Sequence, residues 1–70
     1  MSKPIVYTLR TCPACNKLKQ DWRSRGDDFE ERQVDDNQKW LDEAVRYGDI
    51  VPIVVYDDGR VEAGYQGMIS

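Results

Sequence analysis

The sequence predicts an α/β domain built on a four-stranded mixed sheet, with the element order β-α-β-α-β-β. Three observations lead to this fold class. Short runs of β-branched residues alternate with two stretches of helical periodicity. An Asp-Gly pair between the last two apolar runs is typical of a β-hairpin. The 70 residues suffice for one small core, so residues 1–70 are expected to form a single domain.

The first part of the chain predicts a strand followed closely by a helix. Ile5–Leu9 is rich in β-branched and aromatic residues and predicts the first strand. Thr11 or Cys12 suits the helix N-cap, and Pro13 suits the first helical position. Gly26 is the expected stop. Spacings of three and four place on one helix face the residues Cys15, Leu18 and Trp22.

A second strand and a second helix are expected next. Residues 29–34 alternate imperfectly and predict a strand with one poorly buried face. Residues 35–37 supply N-caps and acidic side chains for a helix that should end near Tyr47, with Gly48 as its cap. The predicted buried face of this helix comprises Leu41, Ala44, Val45 and Gly48.

The last part of the chain predicts a buried strand and a hairpin. Residues 53–56 form an uninterrupted run typical of a central strand. Residues 57–59 form the turn, and residues 60–63 supply an antiparallel edge strand. The two crossovers through helices predict that the first three strands are parallel neighbours.

Composition excludes several classes of function. Ten basic against thirteen acidic residues give a net charge of −3, which disfavours nucleic-acid binding. The longest apolar stretch, residues 50–56, contains Pro52 and is far too short to span a membrane. No secretory leader is recognisable at the N-terminus, so the expected location is cytoplasmic.

The two cysteines carry the predicted chemistry. Cys12 lies at the start of the first helix, where unsatisfied backbone N–H groups and the helix dipole stabilise a thiolate. Cys15 lies one turn later on the same face and is expected to be the more buried of the two. This arrangement suits a nucleophilic thiol followed by a resolving thiol. Arg10 is a candidate for placing a further cation near the thiolate.

Two other interpretations of the cysteine pair stay open. Zinc needs four ligands, and with no histidine and no third cysteine the chain cannot complete a tetrahedral site alone. No metal site is therefore predicted within one chain. Two chains could share a metal ion or an iron–sulfur centre, which would make the protein a non-catalytic module. Buried, unreactive cysteines are the third interpretation.

Several motifs together resemble the glutaredoxin family of the thioredoxin-like fold. They are residues 6–8 of the first strand, which lead to the segment Thr11-Cys12-Pro13-Ala14-Cys15, then Val51-Pro52 before a strand, and Gly64 after a hairpin. The resemblance covers almost the whole chain. Thr11 precedes the first cysteine, where thioredoxins typically carry Trp, and this points to the glutaredoxin branch.

The resemblance implies that the protein is a thiol–disulfide oxidoreductase acting on protein disulfides. Cys12 would attack the disulfide and Cys15 would resolve the mixed disulfide. The Val51–Pro52 peptide bond would be cis and face the cysteines, with the Val51 main chain pairing with the substrate. The predicted substrate-binding residues are Arg10, Thr11, Pro13, Val51, Pro52, Gly64 and Tyr65.

Departures from the family pattern bear on the electron donor. Leu9 and Ala14 stand where glutathione-using members carry Lys and Tyr or Phe. Gly64–Tyr65 is closer to the Gly-Phe of redoxins that serve ribonucleotide reductase and accept electrons from thioredoxin reductase. We therefore expect no bound organic cofactor, and thioredoxin reductase or, with weak dependence, glutathione as the reductant.

The end of the sequence departs from the family as well. Family members add a C-terminal helix over one sheet face, whereas this sequence stops at residues 68–70. We expect a missing C-terminal helix and a bare sheet face. Exposed β-branched surface is typical of interfaces, which predicts a homodimer or another docking partner.

Overall fold

The computed structural model describes residues 3–48 and 50–65. All six predicted elements are present in the predicted order, with slightly shorter bounds. The elements are β1 (Ile5–Thr8), α1 (Pro13–Arg25), β2 (Glu30–Gln33), α2 (Gln38–Val45), β3 (Ile53–Val55) and β4 (Val61–Ala63). Residues 66–70, to which the expectation of a missing C-terminal helix refers, lie outside the described residues.

The four strands form one mixed sheet with the spatial order β2-β1-β3-β4. β1 is parallel to β2 and antiparallel to β3, and β4 is antiparallel to β3. The prediction that β3 is parallel to its neighbours is wrong. The C-terminal half of α2 lies beside Leu9 and Val51, at the end of the sheet where β2 ends. The chain therefore enters β3 from the end at which it left β2, and the strand runs in the opposite direction.

The ends of α1 follow the predicted local signals. Cys12 is the N-cap, and its side chain accepts a hydrogen bond from the Cys15 N–H. Pro13 occupies the first helical position. Gly26 ends the helix with a φ of +80°, which glycine adopts without steric cost, and its N–H donates to carbonyl oxygens of the last turn. The buried face contains the predicted residues and Ala14.

The bounds and the buried face of α2 differ from the prediction. Asn37 caps the helix through its side-chain oxygen, which accepts from the Lys39 N–H at 2.9 Å. The helix ends at Val45 instead of near Tyr47. Of its predicted core residues only Ala44 is buried, while Leu41 is 37% exposed and Val45 is 59% exposed. Only one narrow side of this short helix reaches the sheet.

One helix packs on each face of the sheet. Val6 and Val54 face α1 and contact Leu18 and Trp22. The other face contacts α2 through a cluster whose buried members are Tyr7, Val34, Ala44 and Ile53. The expectation of a bare face is therefore wrong for the centre of the sheet, where the residues of β1 and β3 named above are at most 3% exposed.

The edge strand β2 is polar, and ion pairs with neighbouring elements hold it. Glu31 accepts from the Lys19 Nζ at 2.7 Å and from the buried Thr8 hydroxyl at 2.9 Å. Arg32 donates to Glu43 of α2 at 2.7 Å. Glu43 also accepts from the Tyr7 hydroxyl at 3.0 Å. These contacts tie β2 to β1 and to both helices.

Among the described residues, no helix is long and apolar enough to cross a lipid bilayer.

Candidate active site

The two cysteines lie at the junction of β1 and α1 and are in direct contact. The Cys15 backbone N–H donates to the Cys12 sulfur over an N···S distance of 3.1 Å. The Cys12 thiol also lies 3.9 Å from the Val51 carbonyl oxygen, to which it donates. The N-cap position of Cys12 thus provides a backbone donor for a negative sulfur at the helix N-terminus.

Both thiols are buried, which corrects one expectation. Cys12 and Cys15 are each 0% exposed, so Cys15 is not the more buried of the pair. The prediction rested on helix position, whereas the segments around residues 51 and 65 also cover Cys12. Both cysteines are free thiols.

The surroundings of Cys15 favour its protonated form. Burial, and after it the hydrogen bond with Cys12, raises the pKa of the Cys15 thiol from its ordinary value of 9.0 to about 12. Cys15 therefore stays protonated at neutral pH. Only a local change that ionises or exposes it can turn it into a nucleophile.

We expect the Cys15 thiol to resist ionisation in the folded protein. The Cys15 ¹³Cβ chemical shift should stay constant from about pH 7 to about pH 10.5 in the reduced protein, while in urea it should titrate at the ordinary value of 9.0. Because the folded chain keeps a proton that the unfolded chain loses, folding stability should fall as pH rises from 9.0 towards 12. A folded-state midpoint near 9 would contradict this prediction.

The segment before β3 lies against the cysteines. The Val51–Pro52 peptide bond is cis, as the resemblance implied. Val51 belongs to the same buried cluster as the two cysteines and Ala14. The Pro52 carbonyl accepts from the Gly64 N–H at 2.8 Å, which ties this segment to the end of β4.

Gly64 and Tyr65, directly after β4, complete the site. Gly64 has a φ of +82°, in the left-handed region that favours glycine. Tyr65 packs against the cysteine cluster, and its hydroxyl donates to Asp21 of α1 at 2.7 Å. Three separate segments of the chain thus meet around Cys12.

The remaining predicted site residues are exposed at the surface. Thr11 and Pro13 are exposed beside Cys12 at the start of α1. Arg10, the candidate cation for the thiolate, is exposed and pairs with acidic side chains. Its guanidinium forms an ion pair with Asp36 and lies 3.7 Å from Asp35, in the turn between β2 and α2.

Two further residues support the site without having been predicted as part of it. Leu9 packs against the cysteine cluster from the end of β1. Asp21 fixes Tyr65, two turns along α1 from Cys15. The position of Leu9, two residues before the motif, is the available signal. Nothing in the sequence indicates the pairing of Asp21 with Tyr65.

The described part of the chain, residues 3–48 and 50–65, contains no group of three or more potential metal ligands. An interchain centre, the alternative left open above, would have to draw both buried sulfurs to the surface.

Comparisons with known proteins agree with this geometry. The family model for glutaredoxin matches residues 5–61. The chain is also similar to the crystal structure of a glutaredoxin from Archaeoglobus fulgidus, with a TM-score of 0.75 and 30% sequence identity. That match covers 94% of this chain and 78% of the other. The comparison with curated proteins finds no match.

Proposed function

Because this chain belongs to the glutaredoxin family, whose members are thiol–disulfide oxidoreductases, we propose that it reduces protein disulfides through Cys12 and Cys15. One observation carries the proposal: Cys12 caps a helix N-terminus, accepts a backbone N–H bond from Cys15 and lies against the cis Val51–Pro52 segment.

The first step is attack by Cys12. Its thiolate forms a bond to one sulfur of the substrate disulfide, and the substrate S–S bond breaks. The departing sulfur leaves as a thiolate and takes a proton from water. The Cys15 N–H, 3.1 Å from the Cys12 sulfur, supports the negative sulfur before the attack.

The second step is resolution by Cys15. Its thiolate attacks the Cys12 sulfur and forms the Cys12–Cys15 bond while the bond from Cys12 to the substrate breaks. The second substrate sulfur leaves as a thiolate and takes up one proton, which balances the proton that Cys15 gave up to water. The protein ends with a Cys12–Cys15 disulfide, and the substrate has gained two electrons and two protons. Burial raises the pKa of the Cys15 thiol in the reduced protein, so this step requires that its proton be removed.

Access to Cys12 requires movement at the surface of the site. Leu9 and Tyr65 are half-buried side chains packed against the cysteine cluster, so a substrate displaces one of them to reach the sulfur. The Val51 carbonyl, 3.9 Å from that sulfur, supports the proposal that the substrate main chain pairs with this segment.

We further propose thioredoxin reductase as the electron donor and the cytoplasm as the site of action. Ala14 is 1% exposed and Leu9 is apolar, so neither offers a polar or charged group to glutathione. In this proposal glutathione is a weak reductant, and no organic cofactor is bound.

The test has two parts. The reduced protein is first mixed with a disulfide-bonded protein in a single turnover, which measures the core reaction without any donor. Multiple turnover is then followed by NADPH oxidation, with either thioredoxin reductase or glutathione and glutathione reductase. We expect single turnover, followed by faster recycling with thioredoxin reductase.

The outcomes separate the two claims. Faster recycling by glutathione would overturn the donor but keep the reaction. No single turnover would overturn the reaction and favour the interchain metal or iron–sulfur module. That module would show visible absorbance in the purified protein, whereas a dithiol is colourless.

A further inference from the structure

An apolar groove lies between α2, the end of β1 and the segment that precedes β3. Its volume is about 150 Å³. Leu41 and Val45 form its helical wall, Leu9 and Val51 form the wall nearest the cysteines, and Ile50 also lines it. All of the described residues that line the groove are apolar.

The groove is continuous with the cysteine site. Leu9 and Val51 line the groove and also pack in the cluster that contains Cys12 and Cys15. The Val51 carbonyl is 3.9 Å from the Cys12 sulfur. A molecule that is bonded to Cys12 through a disulfide therefore has the groove beside it.

The helical wall is unusually exposed for its composition. Leu41 is 37% exposed and Val45 is 59% exposed, on the side of α2 that faces the groove. Isolated apolar side chains at a surface are common, but these two lie next to further apolar residues from two other segments. A contiguous apolar surface of this kind is typical of a binding site.

The size and position of the groove limit its occupant. A cavity of about 150 Å³ lined by aliphatic side chains is large enough for one benzene-sized group. In an extended peptide, neighbouring residues are about 3.3 Å apart, so the groove is within reach of residues close to the substrate cysteine. A charged side chain would lose its hydration there without gaining a partner among the described lining residues.

We propose that this groove binds one bulky apolar side chain of the substrate protein, such as leucine or phenylalanine, within two residues of the disulfide cysteine. Leu41 and Val45 are then specificity-determining residues. The inference rests on the proposed disulfide reductase function and names the class of substrate that the site prefers.

The test uses short neutral peptides, each containing one cysteine and joined to an identical copy by a disulfide. In one series leucine is placed in turn at each of the four positions within two residues of the cysteine; in the reference peptide all four are glutamine. We expect leucine at one position to raise the second-order rate constant of reduction about 10-fold.

Variants identify the groove as the source of this preference. The double variant Leu41→Gln/Val45→Gln keeps the net charge and should reduce the leucine preference, measured as the ratio of the rate constants for the leucine and glutamine peptides, to less than about 2-fold. Val61→Gln is the matched control, because Val61 is also an exposed valine, at 40%, but lies on β4 outside the groove. It should keep the full preference.

Each outcome is informative. Equal rates for all peptides, or a preference that survives the double variant, would overturn the groove proposal and leave the reductase function intact. Failure to reduce any peptide or protein disulfide would overturn both. Thermal unfolding of both variants shows whether a lost preference comes from a lost fold.

Discussion

Replacing Cys12 with serine should abolish disulfide reduction, whereas Cys15→Ser should stop the reaction at a mixed disulfide. A serine hydroxyl does not ionise at neutral pH, so Cys12→Ser should lower the single-turnover rate at least about 10³-fold. In Cys15→Ser the first attack is preserved and the resolving sulfur is absent. Mass spectrometry should then detect the protein covalently joined to half of the substrate.

The critical result is which of the two variants accumulates the mixed disulfide. If Cys12→Ser formed the mixed disulfide and Cys15→Ser did not, the assigned roles would be reversed. Because both cysteines are buried, each variant needs a thermal unfolding curve beside the kinetic data. The variant that carries both Cys12→Ser and Cys15→Ser is the negative control for non-specific thiol exchange.

Truncating Leu18 to alanine should remove much of the stability of the fold. Leu18 of α1 is 1% exposed and packs against the centre of the sheet. Leu→Ala at such a site costs about 3 kcal/mol, through lost burial and the cavity left behind. Small domains have a free energy of unfolding of only about 5 kcal/mol at the lower end of the range, so the midpoint of urea unfolding should fall steeply.

Leu41→Ala is the matched comparison, since Leu41 is also a helical leucine but is 37% exposed. Its cost should stay below about 1 kcal/mol, because less apolar surface is returned to water. If Leu18→Ala and Leu41→Ala lowered the free energy of unfolding equally, the buried face of α1 would not dominate the core.

The local signals in the sequence were sufficient for most of the elements. Pro13, Gly26 and Asn37 act through their own backbone geometry or their own side chains, and each is found at a helix end. The Asp-Gly turn is found between β3 and β4 for the same reason. The spacing of the two cysteines places both sulfurs on one helix face, independently of how the rest of the chain packs.

Interactions between distant segments were not predictable in this way. The sequence near Arg10 does not reveal that its guanidinium pairs with Asp36, since β2 and its turn must first pack beside β1. The exposure of Leu41 and Val45 likewise depends on how α2 lies on the sheet, because periodicity defines an apolar face but not how much of it is covered.

The sequence by itself therefore determined the order of the elements, both ends of α1, the start of α2 and the juxtaposition of Cys12 with Cys15, since these depend on residues within a few positions of each other. Only the tertiary structure decided the direction of β3, the full burial of Cys12 and the groove beside it. Each of these results from the packing of Val51 or α2 against the end of β1, where contacts between residues far apart in the chain outweigh local preference.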